Sequence, residues 1–342
     1  MSAKKLLILG LALFFAAAAT FLPHAAHAKK PKWEWKTGTL APKGVGYANQ
    51  VRDILLPAIE GATDGDVVLK VYWGGVMGDD EQHIQKMRMG QLHAAGLSGQ
   101  GTFLMAGDMA VLGLPFLFES WEEVDYLKER MMDRFDAIVA KHGFKLLLWL
   151  DQDFDQIYST REPIAGPDDF ARARFVTWFG PLEGRLLQRF GTNPVPMGVA
   201  EIPSGLRSGV SDSMIAPSIW IVGTQLYSTF RFVNPMKIRY VPAFCVSTVA
   251  AWDALPEAYQ NNIRRDRLEW SNRFTKDSRV EGDKCLAAMI RYGVKEISST
   301  PEQMEQVKAQ ALPIWGELAG KLYPAELLEE IKAHLADYRA GR

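Results

Sequence analysis

Short apolar runs alternate with amphipathic stretches along most of this chain, and that alternation restricts the fold more than any other feature. Trp33 to Leu40 reads as a strand ending in the turn Ala41-Pro42-Lys43-Gly44, and a helical pattern follows from Tyr47 to about Gly61. Asp66 to Trp73 is a second strand, with the glycine loop GGVMG after it. Asp79 to Gly90 reads as a helix whose acidic start suits the positive end of the helix dipole. Leu92 to Gly96 is a buried strand, Leu112 to Phe118 an apolar turn, Ser120 a helix start, and Phe144 to Leu150 a further strand. This β-α-β-α-β order specifies an open, mostly parallel sheet with helices on its faces.

The second half repeats the scheme. Phe154 to Ser159 and Arg174 to Trp178 are strand-like, and Leu182 to Phe190 is a helix closed by Gly191. Asn193 to Met197 is extended, and Met214 to Ala216 is a short strand. Tyr240 to Thr248 is an apolar strand with Pro242 inside it, which places it at an edge or at a crossing between domains. Pro256 to about Tyr292 reads as one long helix, and Pro301 to Leu318 and Pro324 to Tyr338 as two more. The expected fold is α/β: a two-domain hinged clamshell with mixed sheets flanked by helices and a long helix spanning both domains. Residues 29–153 with about 242–281 would form the first domain, and 154–241 with about 282–342 the second. Two such domains crossed several times enclose a cleft, where ligands commonly bind.

Residues 1–28 have the layout of a secretory signal peptide. Lys4 and Lys5 precede an apolar run from Leu6 to Ala19, and Ala26-His27-Ala28 is a small-x-small cleavage site. The run is shorter than the ~20 residues that span a bilayer. Taking 28 of 342 residues and two lysines away leaves 314 residues with 37 basic and 40 acidic side chains, a net charge of −3. Bulk electrostatics therefore give no attraction to nucleic acid or an anionic membrane. The only cysteines, Cys245 and Cys285, are expected as two buried free thiols in preference to a bridge.

Enzyme signatures are absent: there is no G-x-S-x-G, no H-E-x-x-H, no P-loop and no G-x-G-x-x-G in a strand–turn–helix context. His83, His93, His142 and His334 have no partners at metal-ligand spacing. Asp151, Asp153 and Asp155 lack the glycine and distal glutamate of a calcium loop, so they read as a solvated strand edge near the hinge. No catalytic residue, metal or cofactor is expected.

Four stretches in order carry a family resemblance: WKTGTLAPKGVGYANQ, VVLKVYWGGVMGDDEQHIQKMRMGQLHAAGLS, LGLPFLFESWEEV and PVPMGVAEIPSGLRSGVSDSMIAP. Together they resemble the DctP-type solute receptors of tripartite ATP-independent periplasmic (TRAP) transporters. The resemblance implies a periplasmic receptor that closes on one small molecule and delivers it to a TRAP membrane permease. It also implies a strand arginine that grips an organic acid's carboxylate with its planar fork. Counting back from Gly191, Val176 stands in that arginine's place. Gln156 stands where a second cation often lies, and Met214, Ile215 and Ala216 occupy the turn that often supplies an amide or acid.

The candidate binding residues are Gln156, Val176, Trp178, Phe179, Met214, Ala216, Trp220, Phe244 and Ser98. This lining leads to the expectation of an apolar or neutral ligand, lipid-like at the extreme, in place of a simple dicarboxylate. The alternative is an ordinary organic-acid receptor that uses Arg174 or another cation. A periplasmic lipid-transfer or scaffold protein is the reading from another class.

Overall fold

The computed structural model describes residues 30–44 and 46–341; the expected signal peptide lies outside the described residues. Its strands are β1 (Trp33–Thr39), β2 (Val67–Tyr72), β3 (Ala94–Leu97), β4 (Phe144–Ser159), β5 (Val176–Thr177), β6 (Val195–Pro196), β7 (Ser213–Ala216), β8 (Phe232–Thr248) and β9 (Lys295–Glu296). The helices before β5 are α1 (Tyr47–Gln50), α2 (Leu56–Ala62), α3 (Asp80–Arg88), α4 (Gly99–Met105), α5 (Trp121–Lys141) and α6 (Pro167–Arg172). Those after it are α7 (Pro181–Arg189), α8 (Ile202–Ser208), α9 (Ser218–Gly223), α10 (Val249–Asp253), α11 (Glu257–Tyr292), α12 (Pro301–Ala311), α13 (Ile314–Leu318) and α14 (Ala325–Ala340). A π-helical turn, Val51–Leu55, joins α1 to α2.

The fold is an α/β clamshell with mixed sheets flanked by helices. The main sheet runs β2-β1-β3-β8-β4-β7, with β9 added to β8, and β5 and β6 form a small parallel pair. Strands β1, β2 and β3 are mutually parallel, as the β-α-β order requires, and β8 lies antiparallel to both β3 and β4. The antiparallel pair β4–β8 connects the lobes. It pairs Phe144 with Thr248 at one end and Ser159 with Phe232 at the other, with register shifts near Leu146, Asp151 and Asp155. Such bulges bend and twist a ribbon, so a strand of 16 residues, about 50 Å long at strand rise, serves two sheets. Pro242 sits opposite Asp151 within this crossing.

Helix α11, 36 residues and about 54 Å at helical rise, lies along β4 and packs on α2 at one end and α9 at the other. Its inward face carries Arg267, Ser271, Thr275, Ser278, Gly282, Cys285 and Met289. The small residues in that row let the helix approach the strand closely: Ser271 Oγ accepts the Trp149 amide at 3.2 Å. Cys245 and Cys285 are buried free thiols. Helix ends follow local chemistry. Asp79 and Gln82 form a capping box on α3, Ser120 caps α5, and Thr300 with Gln303 caps α12.

One large apolar core gathers β3, β4, β8, α5 and the C-terminal helices. A second lies under β1 and β2 around Trp35, Trp252 and Trp270, and a third surrounds Trp178 and Phe179. Among the described residues no helix is long and apolar enough to cross a membrane.

Candidate functional site

The lobes meet where the N-terminus of α4 faces the segment between β5 and α7. Ser98 caps α4 and accepts the Gly101 amide, while its hydroxyl makes a short hydrogen bond to the buried Asp80. The next amide, Gly99, donates to Gln152 Oε1 at 2.8 Å. Gly99 fits because it has no side chain: a β-carbon there would lie 2.1 Å from Val241 Cγ1 and 2.9 Å from Phe179 Cε1. Phe103 approaches Phe179 edge-on with centroids 6.3 Å apart. The narrow cavity left at this seam, roughly 60 Å³, is lined by Phe103, Leu104, Phe179 and Leu322 among others.

The second-lobe wall is aromatic. Trp178 packs on Trp220 with ring centroids 4.6 Å apart and planes tilted by 37°, and Phe179 meets Trp178 nearly at right angles at 4.5 Å. One carboxylate fixes this wall: Glu183 Oε2 accepts from the Trp178 and Phe179 amides at 2.7 and 2.9 Å and from Thr177 Oγ1 at 3.1 Å. The Trp178 indole donates to Ile215 O at 3.1 Å. Gln156, on β4 opposite Ala216 of β7, accepts from Ser218 Oγ at 3.0 Å, and Tyr158 donates to the same hydroxyl at 3.2 Å.

Most expected site residues come together here, in two different states. Trp178, Phe179, Val176, Met214 and Ala216 share one cluster, with Trp220 packed on its edge. Val176, Met214 and Ala216 have no exposed surface. They are packing within the cluster of the aromatic wall: Val176 pairs with Val195 of β6 and shares its core with Trp178. Phe244 stands apart, buried against Trp149 in the main core at 5.8 Å. Arg174 points away, half exposed, with Asp212 taking both its amide at 2.8 Å and its Nε at 3.2 Å.

The acids of β4 are not the solvated edge expected of them. Asp151 and Asp155 are fully buried, because cations distant in sequence meet them. Asp151 receives Lys128 at 2.5 Å, Arg279 at 2.5 Å and the Tyr240 hydroxyl at 2.6 Å. Burial raises its carboxyl, but Lys128 and Arg279 outweigh that and hold it below the ordinary carboxylate range. Asp155 receives Arg239 Nε at 2.7 Å, and Arg239 Nη2 also bonds Glu183 Oε1 at 2.8 Å. Burial pushes Asp155 up to about 6 against the pull of Arg239. Asp153 keeps some surface, yet burial is the main cause that pushes it up to about 8, aided by Asp155. It lies against Gly282 of α11.

Arg239 was not among the expected residues. Its guanidinium lies 4.4 Å over the Phe179 ring, so a buried cation stands one ring's thickness behind the seam. The signal was present in MKIRYV, where a charged residue interrupts an apolar strand run. Among the described residues no group of His, Cys, Asp and Glu is arranged to hold a metal ion.

With this geometry in view, the comparisons fall into one class. The model of the DctP family, described as bacterial extracellular solute-binding protein, family 7, matches residues 50–321. The chain is 24% identical over 289 residues to the 2,3-diketo-L-gulonate-binding periplasmic protein of Escherichia coli K12, covering 84% of this chain and 86% of that one. A sugar acid binding protein from Advenella mimigardefordensis, solved with galactonate, superposes with a TM-score of 0.81 at 19% identity, covering 90% of this chain and 99% of the other. A TRAP periplasmic solute binding protein from Sulfurospirillum deleyianum, solved with succinate, superposes with a TM-score of 0.78 at 18% identity, covering 89% and 99%. The solutes named for these proteins are acids. That overturns the expectation of an apolar, neutral or lipid-like ligand, which rested on treating buried packing residues such as Val176, Met214 and Ala216 as the lining of the site.

Proposed function

The chain belongs to family 7 of the bacterial extracellular solute-binding proteins, and we propose that it is a periplasmic receptor that captures a small carboxylate-bearing solute and delivers it to a TRAP-type membrane permease. It is a binding protein and not an enzyme. The observation that carries the solute class is the whole-length likeness to receptors whose named ligands are acids, among them galactonate and succinate. The seam between Gly99 and Phe179 supports a cleft at that place. Residues 29–153 with about 242–281, and 154–241 with about 282–342, act in this reading as the two halves that swing about β4, β8 and α11. Binding favours the closed arrangement, and the closed form engages the permease.

A thermal-shift screen of the mature protein against sugar acids, C4 dicarboxylates and 2-oxo acids, each beside its carboxamide, tests the solute class. At least one acid is expected to raise the melting temperature in a concentration-dependent way, with its amide inert. Stabilisation by amides or fatty acyl compounds alone would reject the reading.

A further inference from the structure

The acid reading raises a chemical question, because Gln156, Val176 and Ala216 bring no charge to the solute. We propose, resting on that reading, that Arg239 is the cation that receives the solute's carboxylate, with Asp155 as the acid that takes up the accompanying proton and Phe179 as the ring that covers Arg239 until the solute enters.

Arg239 is 1% exposed, and its Nη1 has no hydrogen-bond partner. A guanidinium has five N–H donors in a rigid fork; here Nε is taken by Asp155 Oδ2 and Nη2 by Glu183 Oε1. The two acids fix the plane of the fork and leave one edge unused. Asp155 Oδ1 is likewise buried without a partner. A buried polar group left unpaired is costly and calls for a partner. Other cations of this region are engaged elsewhere, Arg174 by Asp212 and Lys128 and Arg279 by Asp151.

Access runs past Phe179. Its ring takes Arg239 on one face, and its edge meets Gly99 of the other lobe. Gly180, the next residue, holds a φ of 85°, a backbone state open to glycine. Parting the lobes removes Gly99 from Phe179 and frees the ring to turn aside.

Charge must also balance. Two acids against one arginine leave one negative charge, which would repel a carboxylate. A proton on Asp155 Oδ1 removes that charge. The groups facing Asp155 are Arg239 from β8, Glu183 from α7, and Asp153 and Tyr158 from β4. Only Arg239 favours the ionised form, and the burial that lifts Asp155 to about 6 already brings it near neutrality. Binding of an acid should therefore take up a proton and tighten as pH falls.

Isothermal titration of the mature protein with galactonate, succinate and their amides at pH 5.5, 7 and 8 tests this. Arg239→Gln should weaken the acid about 10- to 150-fold, the range for a hydrogen bond to a charged group, and narrow the preference for acid over amide. Arg239→Lys should fall between. Wild-type affinity should weaken from pH 5.5 to 8, and Asp155→Asn should abolish that trend. Should Arg239→Gln fail to fold, the pH trend and a shift of the Arg239 Nε–H NMR signal on titrating the wild type decide the matter. Retained affinity within threefold in folded Arg239→Gln, or a flat pH profile with an unmoved Arg239 signal, overturns the proposal while the receptor reading stands. A wild-type protein that binds none of the sugar acids, C4 dicarboxylates and 2-oxo acids of the thermal-shift screen overturns the reading itself.

Discussion

At the scale of single residues, the seam depends on an absent side chain. A methyl at Gly99 would collide with Val241 and Phe179 at 2.1 and 2.9 Å, so one lobe would have to move. Gly99→Ala is expected to weaken solute binding by at least tenfold, with a loss of stability of about 1–3 kcal/mol, the usual range for overpacking; titration and chemical denaturation measure the two effects. Asp153 yields a pH prediction. Its folded carboxyl is pushed up to about 8 while the unfolded one titrates near 3.8, so between those values the folded state holds the extra proton. Stability therefore falls as pH rises, by at most about 1.4 kcal/mol per pH unit from this group. Asp80 and Asp155, pushed up to about 6, titrate mostly below pH 7, so the upper part of the window from pH 6.5 to 8 belongs chiefly to Asp153. Asp153→Asn should flatten the decline in that window, and denaturation at pH 6.5, 7.2 and 8 reads it directly. A decline of unchanged slope in the variant would show that Asp153 is not its source.

At the scale of elements, Asp151 ties four together: Lys128 from α5, Arg279 from α11 and Tyr240 from β8 all converge on this one residue of β4. Removing one partner of a buried charge leaves the remainder poorly compensated. Lys128→Met is expected to destabilise by about 3–5 kcal/mol. Arg172→Ala, which breaks an exposed pair with Asp169, should change stability by about 1 kcal/mol or less. The same elements show how far local pattern reaches. The β-α-β order of the first lobe was legible because strands β1 and β2 and helices α3 and α5 are set by local alternation and caps. β4 was not legible as one strand, since Asp151 to Asp155 look like a polar break until partners 23 to 128 residues away are in place. β8 was begun at Tyr240 instead of Phe232 for the same reason, with Arg239 and Lys237 hiding its first half. The glycines of α4 hide its helical pattern, and Pro313 splits the expected helix from 301 to 318 into α12 and α13. Position along the chain put Trp178, Phe179, Trp220, Ser98 and Gln156 among the candidate site residues. Arg239 and Glu183 were not among them, because only the fold brings β8 and α7 together behind the aromatic wall.

At the scale of the whole molecule, the long ribbon β4–β8 and helix α11 run the length of both lobes, and at the seam Gly99 and Phe103 meet Phe179. Continuous connections of that kind suit a hinge. Small-angle scattering should show a smaller radius of gyration on adding a bound acid, and no change with its amide. Trp178, in contact with both Phe179 and Trp220, should report the same closure by fluorescence. The central claim is that the solute is a small carboxylic acid held between the lobes, and the most direct measurement is of what the protein carries from its own periplasm. Mass spectrometry of the compound released on denaturing the natively purified protein should find one small acid in near-equal molar amount. A neutral compound or a lipid in that amount would contradict the account.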